Sequence, residues 1–359
     1  MSKFSLLNLE PVGLFFSFKM MKKYSYLALF IAFVSCQQTA TVNDDPSDDK
    51  VDSAFVLSNR IDSVTALIAE DSLNAALYFE RAGLYMQNES LDPGASDLQR
   101  AVQLDSTNAK YWLKLGVLYY AMQQSRNAKD CWEECSNLDS RNIDCRLNLA
   151  EMYLAVGELK KGQKRLNELL DFDSKNSSAL FLSGNYALME EDTVKAMKYI
   201  QAAINEDQNL FKAYDQMGVL YSAKGDLLAL DYFNAALRLK PYRFDIHYKV
   251  GRFYQSLQAF DEAVQAYNRV LEANPDHKTS LHNIAVIAVF AADYSRAIAY
   301  FTKAIAVDAS YLEAYFGRAY TYELMGELVK SESDYRTSLM LAPKYMPSRD
   351  GLERLKGLK

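Results

Sequence analysis

Apolar residues recur along most of the chain at helical spacing, and the stretch from Ala109 to Asn142 shows the pattern clearly. Trp112, Leu115, Gly116 and Tyr119 lie three to four positions apart and share one helix face, and Ala128, Trp132 and Cys135 repeat that spacing after a polar turn. The pattern predicts a helical hairpin. Gly116 and Ala128 carry almost no side chain, so two backbones can approach closely there while Trp112, Tyr119 and Trp132 fill the space around the crossing.

Shifting the window by 34 residues brings the same pattern back, the self-similarity of a solenoid. Full units are expected at 75–108, 109–142, 143–176, 177–210, 211–243, 244–277, 278–311 and 312–345. The eighth position of each is small: Ala82, Gly116, Ala150, Gly184, Gly218, Gly251, Ala285 and Ala319. So is the residue opening each second helix, from Gly94 and Ala128 to Ala297 and Ser331. Large partners keep register with them, Tyr85, Tyr119, Tyr153, Tyr221, Tyr254 and Tyr322 on first helices and Trp132, Phe233, Tyr267, Phe301 and Tyr335 on second helices. These aromatics read as core. Residues 54–74 and 346–359 are expected to form capping helices over the ends of the array.

The N-terminal region reads differently. Lys22 and Lys23 precede an apolar run from Tyr24 to Val34 that is short for a bilayer span and suits a signal peptide, with residues 1–20 an upstream extension. Residues 36–53 form a polar, acidic stretch holding Asp44, Asp45, Asp48 and Asp49, expected to act as a flexible tether. Ser47 and Lys50 make an S-x-x-K by coincidence, since nothing in a tether would hold the lysine against the serine.

Composition narrows the function. A formal net charge of -6 with no dense cluster of Lys and Arg argues against nucleic acid. Four cysteines without nearby histidines at ligand spacing give no zinc site. Two readings of Cys131, Cys135 and Cys145 stay open: buried free thiols, or one disulfide from Cys145 to Cys131 or Cys135. No metalloprotease, P-loop or nucleophile-elbow motif occurs, and His247, His277 and His282 stand apart from any catalytic partner, so no enzyme activity and no cofactor are expected.

The 34-residue period, W-x2-L-G-x2-Y at Trp112, Leu115, Gly116 and Tyr119, and the later Ala, aromatic, Ala and Pro positions resemble tetratricopeptide repeats (TPRs) over residues 75–345. Departures are Arg81, Ser183 and Arg318 where an apolar residue is usual, and Ala187 and Ala288 where Tyr is usual. The resemblance implies an all-α, right-handed superhelix of about eight hairpins whose concave wall, lined by the first helices, holds a peptide or protein. The wall positions it implies in the first four units are Phe79, Met86, Leu113, Val117, Tyr120, Leu147, Leu154, Phe181, Asn185 and Leu188, an apolar groove. In later units they are Lys212, Asp215, Tyr248, Arg252, His282, Phe316 and Tyr320, a mixed aromatic and polar surface. The Lys and Asn set that grips a C-terminal carboxylate in chaperone-binding relatives is absent.

Phe33-Val34-Ser35-Cys36 resembles the lipobox of bacterial lipoproteins in its Ser and Cys, and departs from it at Phe33. This resemblance, to the looser lipoboxes of the Bacteroidota, implies acylation of Cys36 and an envelope location, in the outer membrane facing the periplasm or the cell surface. The expected function is therefore a lipid-anchored, non-catalytic scaffold for a protein or peptide partner, with an adaptor acting on glycans or cell-wall enzymes as the alternative.

Overall fold

A computed structural model describes residues 48–358. The expected signal peptide, Cys36 and residues 37–47 of the expected tether lie outside the described residues. Among the described residues every regular element is a helix, eighteen in all. They are α1 (Asp48–Glu70), α2 (Ala75–Gln87), α3 (Leu91–Leu104), α4 (Ala109–Ala121), α5 (Ser125–Leu138), α6 (Ile143–Ala155), α7 (Leu159–Phe172), α8 (Ser177–Met189) and α9 (Thr193–Glu206). They continue as α10 (Phe211–Ala223), α11 (Leu228–Leu239), α12 (Phe244–Ser256), α13 (Phe260–Ala273), α14 (Lys278–Phe290), α15 (Tyr294–Val307), α16 (Leu312–Leu324), α17 (Leu328–Leu341) and α18 (Met346–Leu358). One compact unit ends at Ala213 and a second begins at Tyr214.

The first helix starts at Asp48, inside the stretch expected to be tether. Extending a helix already held by packing adds one hydrogen bond per residue ordered, whereas starting one is costly, so an acidic flank can follow a packed segment into helix. That packed segment is real: Val64 and Ile68 of α1 are buried against Leu84 of α2, with Leu57, Ile61 and Leu77 around them.

Each hairpin closes on the same turn. The second residue of each turn sits at positive φ, from Glu89 (54°) and Gln123 (61°) through Gly157 (75°) to Ala292 (57°) and Gly326 (75°). The amide that follows donates to a carbonyl five residues back, as Ser90 does to Tyr85 (2.9 Å) and Asp293 to Ala288 (2.9 Å), which satisfies carbonyls a helix end would leave open. Glycine takes this conformation without strain, and the chain uses it in only three of these turns.

Within a hairpin the small residues set the crossing distance. A Cβ added to Gly251 would lie 2.7 Å from the Tyr267 ring, and one added to Gly184 would lie 2.6 Å from Ile200. Trp132 is buried against Ala128, Leu149 and Tyr153, and its indole N–H donates to the Leu113 carbonyl at 3.3 Å. The other tryptophan, Trp112, is half-buried and donates to Ser106 O at 2.8 Å, so it closes the junction with the preceding hairpin.

Cys135 of α5 and Cys145 of α6 are joined as a disulfide across consecutive hairpins, with Cα atoms 6.1 Å apart. Cys131 is the free, buried thiol, and burial pushes its pKa up to about 12.

Arg81 and Arg318, out of place by the repeat pattern, occupy equivalent positions in the first and last hairpins and make the same contacts. Arg81 donates in bidentate fashion to Asp97 (2.7 and 2.7 Å) and to Thr65 Oγ1 at 3.0 Å. Arg318 does so to Asp334 (2.7 and 2.9 Å) and to Thr302 Oγ1 at 3.0 Å. Each pair ties the two helices of its hairpin to the helix before it. Both aspartates are buried, so removing one leaves a guanidinium with no counter-charge in a largely dry site. Asp97→Ala should therefore cost the first hairpin about 3–5 kcal/mol, while Arg81→Leu combined with Asp97→Leu should recover most of that loss. Hydrogen exchange over residues 55–104 reads both effects; equal loss in the single and double variants would contradict this account.

Candidate functional site

The first helix of each hairpin carries the positions expected to form a binding wall. In the first unit Phe79, Met86, Leu113, Leu147 and Asn185 are half-buried, and Val117 (38%) and Tyr120 (40%) are open to solvent. The Phe79 ring lies 5.0 Å from Tyr111, with the Lys114 ammonium 5.1 Å from its centroid, and Tyr120 lies 5.7 Å from Trp132. Lys212 is exposed.

Four expected wall residues belong to the core instead. Leu154 (3% exposed), Phe181 (9%), Leu188 (8%) and Phe316 (8%) are buried. Leu154 packs with Leu166, Leu169, Leu182 and Tyr186. Phe181 and Leu188 lie on α8, whose sequence SSALFLSGNYALM is apolar on every side, and a helix apolar all round is covered all round. Phe316 is enclosed by Tyr335 (5.9 Å), Tyr345 (5.7 Å) and Tyr320 (6.5 Å). The apolar wall of the first unit is thus narrower than the sequence predicts.

In the second unit the wall has a regular construction that the sequence reading missed. Tyr248, His282 and Phe316 occupy the same position in three successive hairpins. Each meets a ring twenty-nine positions later, on the residue just before the next first helix: Tyr248 with His277 (5.1 Å), His282 with Tyr311 (5.5 Å) and Phe316 with Tyr345 (5.7 Å). Each is also backed by a ring from its own second helix: Tyr267 (5.8 Å), Phe301 (5.5 Å) and Tyr335 (5.9 Å). The result is three ring pairs in register, in which His277, Tyr311 and Tyr345 stay half-buried while Phe316 is part of the core behind them.

The partner position carries different chemistry in the two units. In the first it is Asn108, Asn142 or Asn176, and Asn74 precedes them; each side-chain oxygen accepts an amide N–H of the helix that follows. In the second, His277 keeps a cap by accepting the Ser280 amide on Nδ1 (3.2 Å), and Tyr311 makes no side-chain cap. An asparagine cap contributes about 1 kcal/mol over a residue that cannot cap, so tyrosine at this position forfeits local stability in favour of a ring. Where a local rule is broken without compensation, function is the usual reason.

Charged groups around the ring pairs are mostly neutralised. Lys249 bridges to Asp215 across consecutive first helices (2.6 and 2.7 Å), Lys278 pairs with Asp308, and Arg354 grips Glu323 (2.8 and 2.9 Å). Arg252 is half-buried on the same helix as Tyr248. Burial pushes the Asp215 carboxyl up and the Lys249 ammonium holds it back. The hydroxyls of Tyr248, Tyr311, Tyr320 and Tyr345 make no hydrogen bond among the described residues. Burial pushes Tyr345 up to about 12 and raises Tyr311, and the Glu313 carboxylate adds to both shifts.

Catalytic groups do not converge. Among the described residues no cluster of three or more His, Cys, Asp or Glu is placed to hold a metal ion, and no helix is long and apolar enough to cross a membrane. The clefts lined by Lys160, Lys164 and Glu168 and by Leu271, Pro275, Tyr300 and Val307 are open rather than enclosed.

Consecutive two-helix units, each crossing at a small residue and stacking on the next, define the class of helical-repeat scaffold proteins. Models of the tetratricopeptide repeat match residues 109–142, 245–310 and 282–345, so these stretches are tetratricopeptide repeats. The fold is similar to the C-terminal part of a TPR repeat-containing protein from Cytophaga hutchinsonii, at TM-score 0.57 and 20% identity, covering 67% of this chain and 99% of that one. It is also similar to PilF of Pseudomonas aeruginosa, at TM-score 0.50 and 18% identity, covering 58% of this chain and 96% of that one. No curated protein matches the sequence.

His282 gives the wall a pH signature. Its ring is packed between Phe301 and Tyr311, its Nδ1 is buried without a partner, and burial lowers its pKa from 6.5 to about 4. The fold thus prefers neutral imidazole, so this stabilisation is complete above pH 6.5 and is lost as pH falls from 6.5 towards 4. Over that range it amounts to about 3 kcal/mol. His282→Phe should flatten the dependence of melting temperature on pH between 6.5 and 4; an unchanged slope would remove His282 from the account.

Proposed function

We propose that this protein is a non-catalytic scaffold that binds a protein or peptide partner on the face formed by the first helices of its hairpins. The observation that carries this reading is the row of half-buried rings at Tyr248, His277, Tyr311 and Tyr345, the last three each just before a helix, where Tyr311 makes no side-chain cap. Aromatic side chains with free hydroxyls beside fixed ion pairs offer apolar area and directional contacts with little ordering left to do on binding.

The same proposal places the protein in an envelope, anchored through a lipid on Cys36 and facing the periplasm or the cell surface. Two features support it: the lipobox-like sequence before Cys36, and the Cys135–Cys145 disulfide, which suits an oxidising compartment. Acyl chains would supply most of the membrane attachment.

Two experiments test the reading. Val117→Ser with Tyr120→Ser and Tyr248→Ser should abolish partner capture from detergent-solubilised envelope while the melting temperature stays within a few degrees of the parent. Trp132→Ala, by contrast, should cost about 3–5 kcal/mol and lose capture only through unfolding. Full capture by the wall variant would overturn the binding face. For the anchor, Cys36→Ser should release the protein from membranes or leave its signal uncleaved; a variant that is processed normally and stays membrane-bound in high salt would overturn it.

A further inference from the structure

We infer that copies of this chain associate end to end, with α18 of one copy completing a hairpin on α1 of another. The inference is independent of the binding face proposed above.

The terminal helices are halves of hairpins. Arg81 reaches Thr65 of α1 as Arg318 reaches Thr302 of α15, each at 3.0 Å and sixteen positions back, so α1 stands in the place of a second helix. α18 stands in the place of a first helix. Ser348 and Ser338 meet at 2.6 Å at the repeat positions that Cys145 and Cys135 occupy earlier, and a Cβ added to Gly351 would lie 2.4 Å from the Tyr335 ring, as one added to Gly317 would from Phe301. Among the described residues α1 has no first helix against it and α18 no second. The opening this leaves is plain at Leu67. The residue at its repeat position, from Ala101 and Cys135 to Ala304 and Ser338, is fully buried in all eight hairpins, whereas Leu67 is 47% exposed.

Charge selects the occupant. Within a hairpin the small residues of the two helices face each other: a Cβ added to Gly94 would lie 3.5 Å from the Ala82 carbonyl oxygen, and one added to Gly184 would lie 3.2 Å from that of Ala196. One period before Gly94 stands Arg60, and one period after Ala319 stands Glu353, both exposed. Side chains of this size exclude the close crossing of an ordinary hairpin. Their signs are opposite, however, so α18 laid on α1 in hairpin register sets a carboxylate against a guanidinium where two small residues would otherwise meet. Ends built only to keep copies apart would carry the same sign at both. The helices as wholes agree: α1 holds five carboxylates and two cations, α18 three cations and two carboxylates. Arg60 makes no ion pair among the described residues, and the bond of Glu353 to Lys356 (2.7 Å) is an exposed pair that contributes little in water, which leaves the carboxylate available. Because one end meets the other, each copy can engage two neighbours, and association passes beyond dimers.

Sedimentation velocity of the full chain in nonionic detergent tests this, over about 1–100 μM protein and at about 0.05 and 0.5 M salt. The parent should grow past the dimer with concentration at low salt and return towards monomer at high salt. Arg60→Glu and Glu353→Arg, each setting like charges at the crossing, should each weaken association about tenfold or more with melting temperatures within a few degrees of the parent. Leu67→Asn should weaken it a few-fold. Mixed in equal amounts, the two charge variants should associate as the parent does, because each supplies the sign that the other's open end now needs. A parent that stays monomeric throughout overturns the inference, as does association that neither charge reversal weakens, or a mixture no more associated than its components alone.

Discussion

The structure depends on close approach between the two helices of each hairpin. At Gly251 there is no room for a methyl group beside the Tyr267 ring, and the same relation holds between Gly184 and Ile200. A small residue on one helix and a large one on its partner set how near the backbones come, and the turn can then close with one left-handed residue. Because hairpin follows hairpin, the crossing repeats, and so does the face that the first helices present. A wall of regularly spaced side chains is therefore a consequence of core packing, available to whatever residues stand on it.

Polar groups inside the array serve this packing in two ways. At its ends, Arg81–Asp97 and Arg318–Asp334 make matching bidentate contacts and reach a threonine on the preceding helix. Terminal hairpins are covered on their outer side by a single helix, α1 or α18, rather than by a second hairpin, so a directional contact can help to fix their geometry. In the middle of the first unit, Cys135–Cys145 joins two hairpins covalently, at a place where Cys131 one turn earlier remains a buried thiol.

The second unit shows how a repeated frame is adapted. Where the first unit carries asparagine caps it places His277, which still caps, and Tyr311 and Tyr345, and each of these rings meets one from the hairpin before it. Local stability is given up at Tyr311, which makes no cap, while Tyr248, His282 and Phe316 are backed by Tyr267, Phe301 and Tyr335 from their own second helices. His282 is held neutral by its burial.

The sequence by itself determined the class of fold, because a 34-residue return of small and large residues at helical spacing has only one packing solution, a stack of hairpins. It also marked Arg81, Ser183 and Arg318 as irregular, without saying why. Tertiary structure decided the rest. Periodicity reports which side of a helix a residue is on, not how deeply the next helix covers it, so Leu154, Phe181, Leu188 and Phe316 read as wall and are core. Which cysteine Cys145 meets depends on where two hairpins stack, and both candidates lie one turn apart on the same helix. The ring pairs join residues twenty-nine positions apart, a distance that no helical or strand period marks, and they become visible only when one hairpin is laid against the next.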